Sequence, residues 1–124
     1  MILADSSIWI DHLRAANPLL VAALDRDDVV CHPFVVGEVA MGSLRDRAQI
    51  VRSMQQLPQV ERATDGEVLI LIERHRLFGT GLGYIDTHLL ASALIADETT
   101  LWTRDRRLRD AAARLRLVGF PPVH

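Results

Sequence analysis

A chain of 124 residues, 49% hydrophobic and 24% charged, is long enough for one packed core and is ordinary for a globular protein. Its net charge of −2 excludes nucleic-acid capture by bulk charge, and no apolar run approaches the roughly 20 residues that span a bilayer. All 14 cationic residues are arginines, so chemistry that needs a lysine base, a Schiff base or a P-loop lysine is excluded.

Ile2 to Ala4 reads as a first buried strand. Asp5 breaks this apolar start and no basic segment precedes it, which does not match a signal peptide. Ser6 or Ser7 is a candidate cap for a helix running through Arg14. Asn17-Pro18, a cap followed by proline at the first helical position, opens a short helix to about Leu24. Val29 to Cys31 is a second strand; a lone Cys31 excludes an internal disulfide and points to a reducing cytoplasm. Pro33 opens a helix to about Leu44, apolar nearly all round and so expected to be buried. Arg45 to Leu57 is a more polar helix. Thr64 and Glu67 form a capping box ahead of a helix over Val68 to Phe78.

Gly79-Thr80-Gly81-Leu82-Gly83 is a connector, since no GKS/T opens the next helix, which runs from about Tyr84 to Ala96. Thr99 to Trp102 is β-branched and aromatic, hence a strand. Leu108, Ala111, Ala112 and Leu115 have helical spacing, and Leu117-Val118 is a candidate last strand before Pro121-Pro122. Strands alternating with helices predict an α/β fold on a parallel sheet, forming a single domain over 1–124, with ligands beyond the carboxyl ends of the strands.

Four acids stand out: Asp5, Glu38, Asp86 and Asp105. Asp5 and Asp105 fall at the carboxyl ends of predicted strands, on one rim. Either could simply cap the helix that follows it, and Asp86 suits a first helical turn on dipole grounds. Glu38 sits mid-helix among apolar residues, where neither a cap nor a dipole rewards it; a buried ion pair with an arginine is its structural explanation. Two carboxylates about 4 Å apart repel by roughly 4 kcal/mol at an effective dielectric of 20, so four sharing a pocket need protons or a cation. An all-oxygen set points to Mg²⁺ or Mn²⁺ and away from zinc. His12, His32, His75, His88 and His124 form no motif, and His88 faces away from Asp86 on a helix. Arg104, Arg106, Arg107 and Arg109 surround Asp105, either as a solvated helix face or as a phosphate-contacting rim.

Four segments, in order, resemble the PIN-domain ribonucleases, specifically the VapC-type toxins of toxin–antitoxin modules. They are Asp5-Ser6-Ser7-Ile8-Trp9-Ile10, Gly37-Glu38-Val39-Ala40-Met41-Gly42, Tyr84-Ile85-Asp86-Thr87-His88-Leu89-Leu90-Ala91-Ser92-Ala93, and Leu101-Trp102-Thr103-Arg104-Asp105-Arg106. The resemblance implies a three-layer α/β/α sandwich with a central parallel sheet. It implies a Mg²⁺- or Mn²⁺-dependent endoribonuclease with Asp5, Glu38, Asp86 and Asp105 as catalytic metal ligands. It makes Ser7 and Thr103 supporting groups and leaves Asp97 and Asp110 as poorly placed candidates for a further acid. Arg104, Arg106 and Arg107 become candidate contacts to the RNA backbone. A cognate antitoxin, a heterocomplex with it, and a homodimer are also implied. The alternative is a non-catalytic PIN-like module that binds RNA or a partner. A receiver domain fails for want of a lysine, and a haloacid-dehalogenase-type phosphatase fails because Ser7 stands where it needs a second aspartate.

Overall fold

The computed structural model describes residues 1–121; Pro122 and His124 lie outside them. Three short strands, β1 (Ile2–Ala4), β2 (Val29–Val30) and β3 (Thr100–Trp102), form a parallel sheet in the order β2-β1-β3. Ile2 and Leu3 pair with Val29 and Val30 on one side; Ile2, Leu3 and Ala4 pair with Thr100, Leu101 and Trp102 on the other. β1 is buried at every position, which is why it is a plain apolar run with no alternation.

Seven helices surround the sheet: α1 (Ser6–Arg14), α2 (Pro18–Asp25), α3 (Pro33–Ala40), α4 (Arg47–Gln56), α5 (Asp65–Arg74), α6 (Tyr84–Ile95) and α7 (Arg106–Arg114). α1 packs on β1 and α3, and α3 on α4; α5 packs on α6, which lies against β3 and α7. The α/β sandwich expected from the alternation of elements is therefore present. None of these helices is long and apolar enough to cross a membrane. The chain passes from β1 to β2 on one side and from β2 to β3 on the other side of β1, so the strand order reverses at β1, and the carboxyl end of β1 beside β3 is the kind of switch point where such sheets bind ligands.

Several local expectations are corrected. The cap of α1 is Asp5, not Ser6 or Ser7, because the aspartate at the strand end, in extended conformation just before the first turn, already reaches the Ser7 and Ile8 amides. α3 stops at Ala40 rather than Leu44, closed by the Gly42 amide bonding back to Val39. It is not buried all round: Val35, Val36 and Val39 face the core, while Pro33, Gly37 and Glu38 face solvent. α4 starts at Arg47, after Asp46 in a left-handed conformation. α5 begins earlier, at Asp65, behind the predicted Thr64–Glu67 capping box, and ends at Arg74, short of Phe78. Cys31 forms a bridge to Gln59 beside β2 rather than a strand residue. Leu117-Val118 is not a strand; Leu117 only accepts one bond from the Leu101 amide on the outer edge of β3. The left-handed Arg116 turns the chain just before it.

Candidate active site

Asp5 is the anchor of the rim. It is buried, 4% exposed, and both carboxylate oxygens are engaged. Oδ1 accepts from the Ser7 amide at 3.0 Å, the Ser7 hydroxyl at 2.5 Å and the Ile8 amide at 3.3 Å. Oδ2 accepts from the Thr103 hydroxyl at 2.5 Å. The capping role and a site role are thus not alternatives, because the cap uses one oxygen and the other faces β3.

Ser7 and Thr103 act as a matched pair. The Ser7 hydroxyl donates to Asp5 and accepts from the Arg104 amide at 3.1 Å. The Thr103 hydroxyl donates to Asp5 and accepts from the Asp105 amide at 2.9 Å. Each hydroxyl uses its single donor on Asp5 and its acceptor capacity on the β3–α7 turn. With the Asp5 amide bonded to the Trp102 carbonyl at 3.0 Å, the β1–α1 and β3–α7 junctions are tied together at one point. Asp105 caps α7 through Oδ1, which accepts from the Leu108 amide at 2.9 Å, and its residue is exposed.

Asp86 sits in the first turn of α6, behind a Gly83 that supplies no side-chain cap. Its carboxyl is pushed up to about 6, first by desolvation and then by the charges of Asp5, Asp105 and Glu38. The other three acids singled out in the sequence are therefore close enough for their charges to reach Asp86. Glu38 is exposed as a residue, yet the surrounding protein desolvates its carboxyl and raises it. The Ser6 hydroxyl, a donor to that carboxylate, works in the opposite direction, and the Asp5 charge adds to the rise. The arginine partner that would have explained Glu38 structurally is not there: among the described residues none of the four acids is in an ion pair. Ser6 was missed as a site residue, since a serine at a helix start reads as a cap; only the packing of α1 on α3 brings it to Glu38.

The donor set is all oxygen and carries uncompensated charge, which fits a hard divalent cation. It is not a closed cage as it stands: among the described residues no three His, Cys, Asp or Glu side chains are placed to hold an ion. Mutual repulsion keeps such carboxylates apart.

A further pair of acids stays out. Asp97 lies beyond the opposite end of α6 from Asp86, about 16 Å along the axis at 1.5 Å per residue. Asp110 lies between Arg107 and Arg114 on one face of α7, which lines a small cleft with Leu77 and Thr80. The arginine cluster is divided by the helix. Arg104 is ion-paired with Asp11 while still largely exposed. Arg107 lies over Gly81, where a Cβ would meet its guanidinium at 3.1 Å. Arg106 is exposed, and Arg109 turns toward Phe120. His88 is buried away from the rim, its Nε2 at 3.3 Å from Asp65. Burial pushes the Cys31 thiol up to about 11, so it is inert at neutral pH.

The PIN domain profile matches residues 2–114, a span that contains all four acids and both hydroxyls. The chain belongs to the PIN domain family. Two curated relatives of this PIN domain, each named Ribonuclease VapC32 and found in two strains of Mycobacterium tuberculosis, are 46% identical to it over 113 residues. The aligned stretch covers 91% of this chain and 91% of either relative.

Proposed function

We propose that this PIN domain is a Mg²⁺- or Mn²⁺-dependent endoribonuclease, the toxin of a toxin–antitoxin pair. The observation that carries the reading is the Asp86 carboxyl, raised by burial and by the charges of Asp5, Asp105 and Glu38. The name of the 46%-identical relatives supplies the reaction class. In this reading Asp5, Glu38, Asp86 and Asp105 hold the cation and are the catalytic residues. The bound ion supplies activation of water and neutralisation of charge at the phosphate.

The protein's own part is orientation. Ser7 and Thr103 fix the Asp5 carboxylate from two sides, and Ser6 steadies Glu38. Glu38, exposed and part of no helix cap, is the acid freest to close on an ion by side-chain rotation, while Asp105 keeps Oδ1 on the α7 cap and has Oδ2 to offer. Before the ion binds, the rim repels phosphate, so RNA needs cationic contacts beside it; Arg104, Arg106 and Arg107 are the candidates. Hydrolysis with departure of the 3′ oxygen leaves a 5′-phosphate and a 3′-hydroxyl. A cognate antitoxin covers the rim in a heterocomplex, an inserted arginine serving as the counter-charge that metal otherwise supplies. The chain works in the cytoplasm as a homodimer.

The test is cleavage of single-stranded RNA with Mg²⁺, with EDTA, and by Asp86→Asn. Asp86 is the variant of choice because Asp5→Ala would also remove the α1 cap and strand the Thr103 hydroxyl. Cleavage should require the metal and fall at least about 100-fold in the variant, as expected when a catalytic charge is lost. Equal rates in all three arms would sink the reading and leave a non-catalytic binding module.

A further inference from the structure

A second cleft opens beside the acid rim, at the carboxyl end of β3. Trp102, Thr103, Arg104, Arg109, Val118 and Phe120 line most of it. Its volume of about 310 Å³ reaches the lower end of the roughly 300–1,000 Å³ typical of small-ligand sites. Its walls separate by chemistry. Trp102 and Phe120 meet edge to face, with ring centroids 4.9 Å apart at 78°; Trp102 is buried and Phe120 half-buried. Arg104 and Arg109 are exposed at the lip, and Arg109 has no ion-pair partner among the described residues. Thr103 belongs to both places: it lines this cleft while its hydroxyl holds Asp5 at 2.5 Å.

The acid rim has groups for a phosphate-bound cation but none to grip a base. Unpaired RNA bases are held by stacking on aromatic rings and guanidinium planes, with arginines on the adjoining phosphates. We propose that this cleft is the subsite for one nucleotide of single-stranded RNA next to the scissile bond. Phe120 receives the base, Arg109 holds its phosphate, joined by Arg104 when that side chain leaves its exposed ion pair with Asp11, and the cleft sets the nucleotide preference at that position. The inference rests on the ribonuclease reading above. An acidic peptide would satisfy the arginines but would leave the aromatic wall without a function, so RNA is the better occupant.

The full chain tests it in two ways. Cleavage of oligonucleotides randomised around the cut is compared for the native protein, Phe120→Leu, Phe120→Tyr and Arg109→Gln. Stacking and phosphate contacts of this kind predict that Phe120→Leu flattens the preference at one flanking position by about fivefold or more, and that Phe120→Tyr restores it. Arg109→Gln should raise KM by about five- to tenfold, with most of the loss in KM rather than kcat. Separately, binding of a labelled oligonucleotide is measured by anisotropy in an Asp86→Asn background, where both Phe120→Leu and Arg109→Gln should weaken it. RNA cut with unchanged preference and KM in every variant overturns the subsite and leaves the ribonuclease reading standing. No RNA cut, but binding lost in both variants, keeps the subsite and removes the ribonuclease. A short acidic peptide that binds the native chain but not Arg109→Gln, with oligonucleotide binding unaffected, also overturns it.

Discussion

At the scale of single residues, the site is built by giving ordinary structural groups a second task. Asp5 caps α1 and Asp105 caps α7, each through Oδ1. Thr103 is the joint between them, because its one hydroxyl serves Asp5 as donor and the Asp105 amide as acceptor. Thr103→Val should therefore lower RNA cleavage about 10- to 100-fold, the loss usual for groups that orient metal ligands, while Thr103→Ser keeps most of it. A cleavage assay on the two variants checks this; loss in Thr103→Ser with activity kept in Thr103→Val would show that the methyl, not the hydroxyl, matters. The acids themselves were legible in the sequence because a carboxylate next to an apolar run needs a reason. Ser6 was not, because its distance to Glu38 depends on how two helices cross.

At the scale of elements, caps and turns decide where the site residues stand. The capping box of α5 is complete, with the Glu67 amide donating to the Thr64 hydroxyl at 3.1 Å and the Thr64 amide to Glu67 at 2.9 Å. Thr64→Ala should cost about 1 kcal/mol, seen as a lower denaturation midpoint at unchanged slope. The connector before α6 is more closely tied to function. Gly81 has φ +84° and lies against the Arg107 guanidinium. Gly81→Ala should destabilise by about 1–2 kcal/mol through the left-handed backbone, while the Arg107 guanidinium it would meet is the far end of an exposed, flexible side chain that swings aside. If the midpoint stays put, the connector carries no left-handed strain at this position. Glycines at 79, 81 and 83 marked this segment as a loop from sequence alone; which helix it would meet was visible only once Arg107 lay across it. The ends of α3 and α5 moved for a related reason, since apolar runs extend past the last residue whose carbonyl finds a helical partner.

For the whole molecule, two titrations, of half-buried Asp86 and buried His32, run against each other. Asp86 is raised from 3.8 to about 6, so the folded state keeps its proton longer and stability falls as pH rises from about 4 to 6. His32 is lowered from 6.5 to about 4 by burial, helped by the charges of His88 and Arg62, so stability is lost as pH falls through that window. His32 is fully buried, with Nε2 at 3.1 Å from the Ser92 hydroxyl and Nδ1 accepting from the Phe34 amide, so a second ring proton has no acceptor. In metal-free protein the two effects offset each other in part. Asp86→Asn removes one of them, and its melting temperature should drop more steeply than the native protein's between pH 7 and pH 5. Parallel curves would mean that Asp86 is not held near the other acids. Mg²⁺ should stabilise the native chain at pH 7 by about 2.7 kcal/mol at 100 times its dissociation constant, and much less at pH 5, where protons compete for the carboxylates. A thermal shift of equal size at both pH values would count against a carboxylate site.

Alternation of strand and helix, the caps at Asn17 and Thr64, and the four acids are local matters of spacing and side-chain chemistry, so the order of residues alone determined them. The two acids at strand ends could even be put on one rim, because parallel strands share a direction. What only the tertiary structure decided depends on contacts between residues far apart in the chain. These are the sharing of Asp5 between Ser7 and Thr103, the approach of Ser6 to Glu38, the division of four neighbouring arginines among different surfaces, and the meeting of Trp102 with Phe120. A one-dimensional pattern carries the period of each element but not the angle at which one element crosses another, and at this rim the crossing angles choose which groups meet.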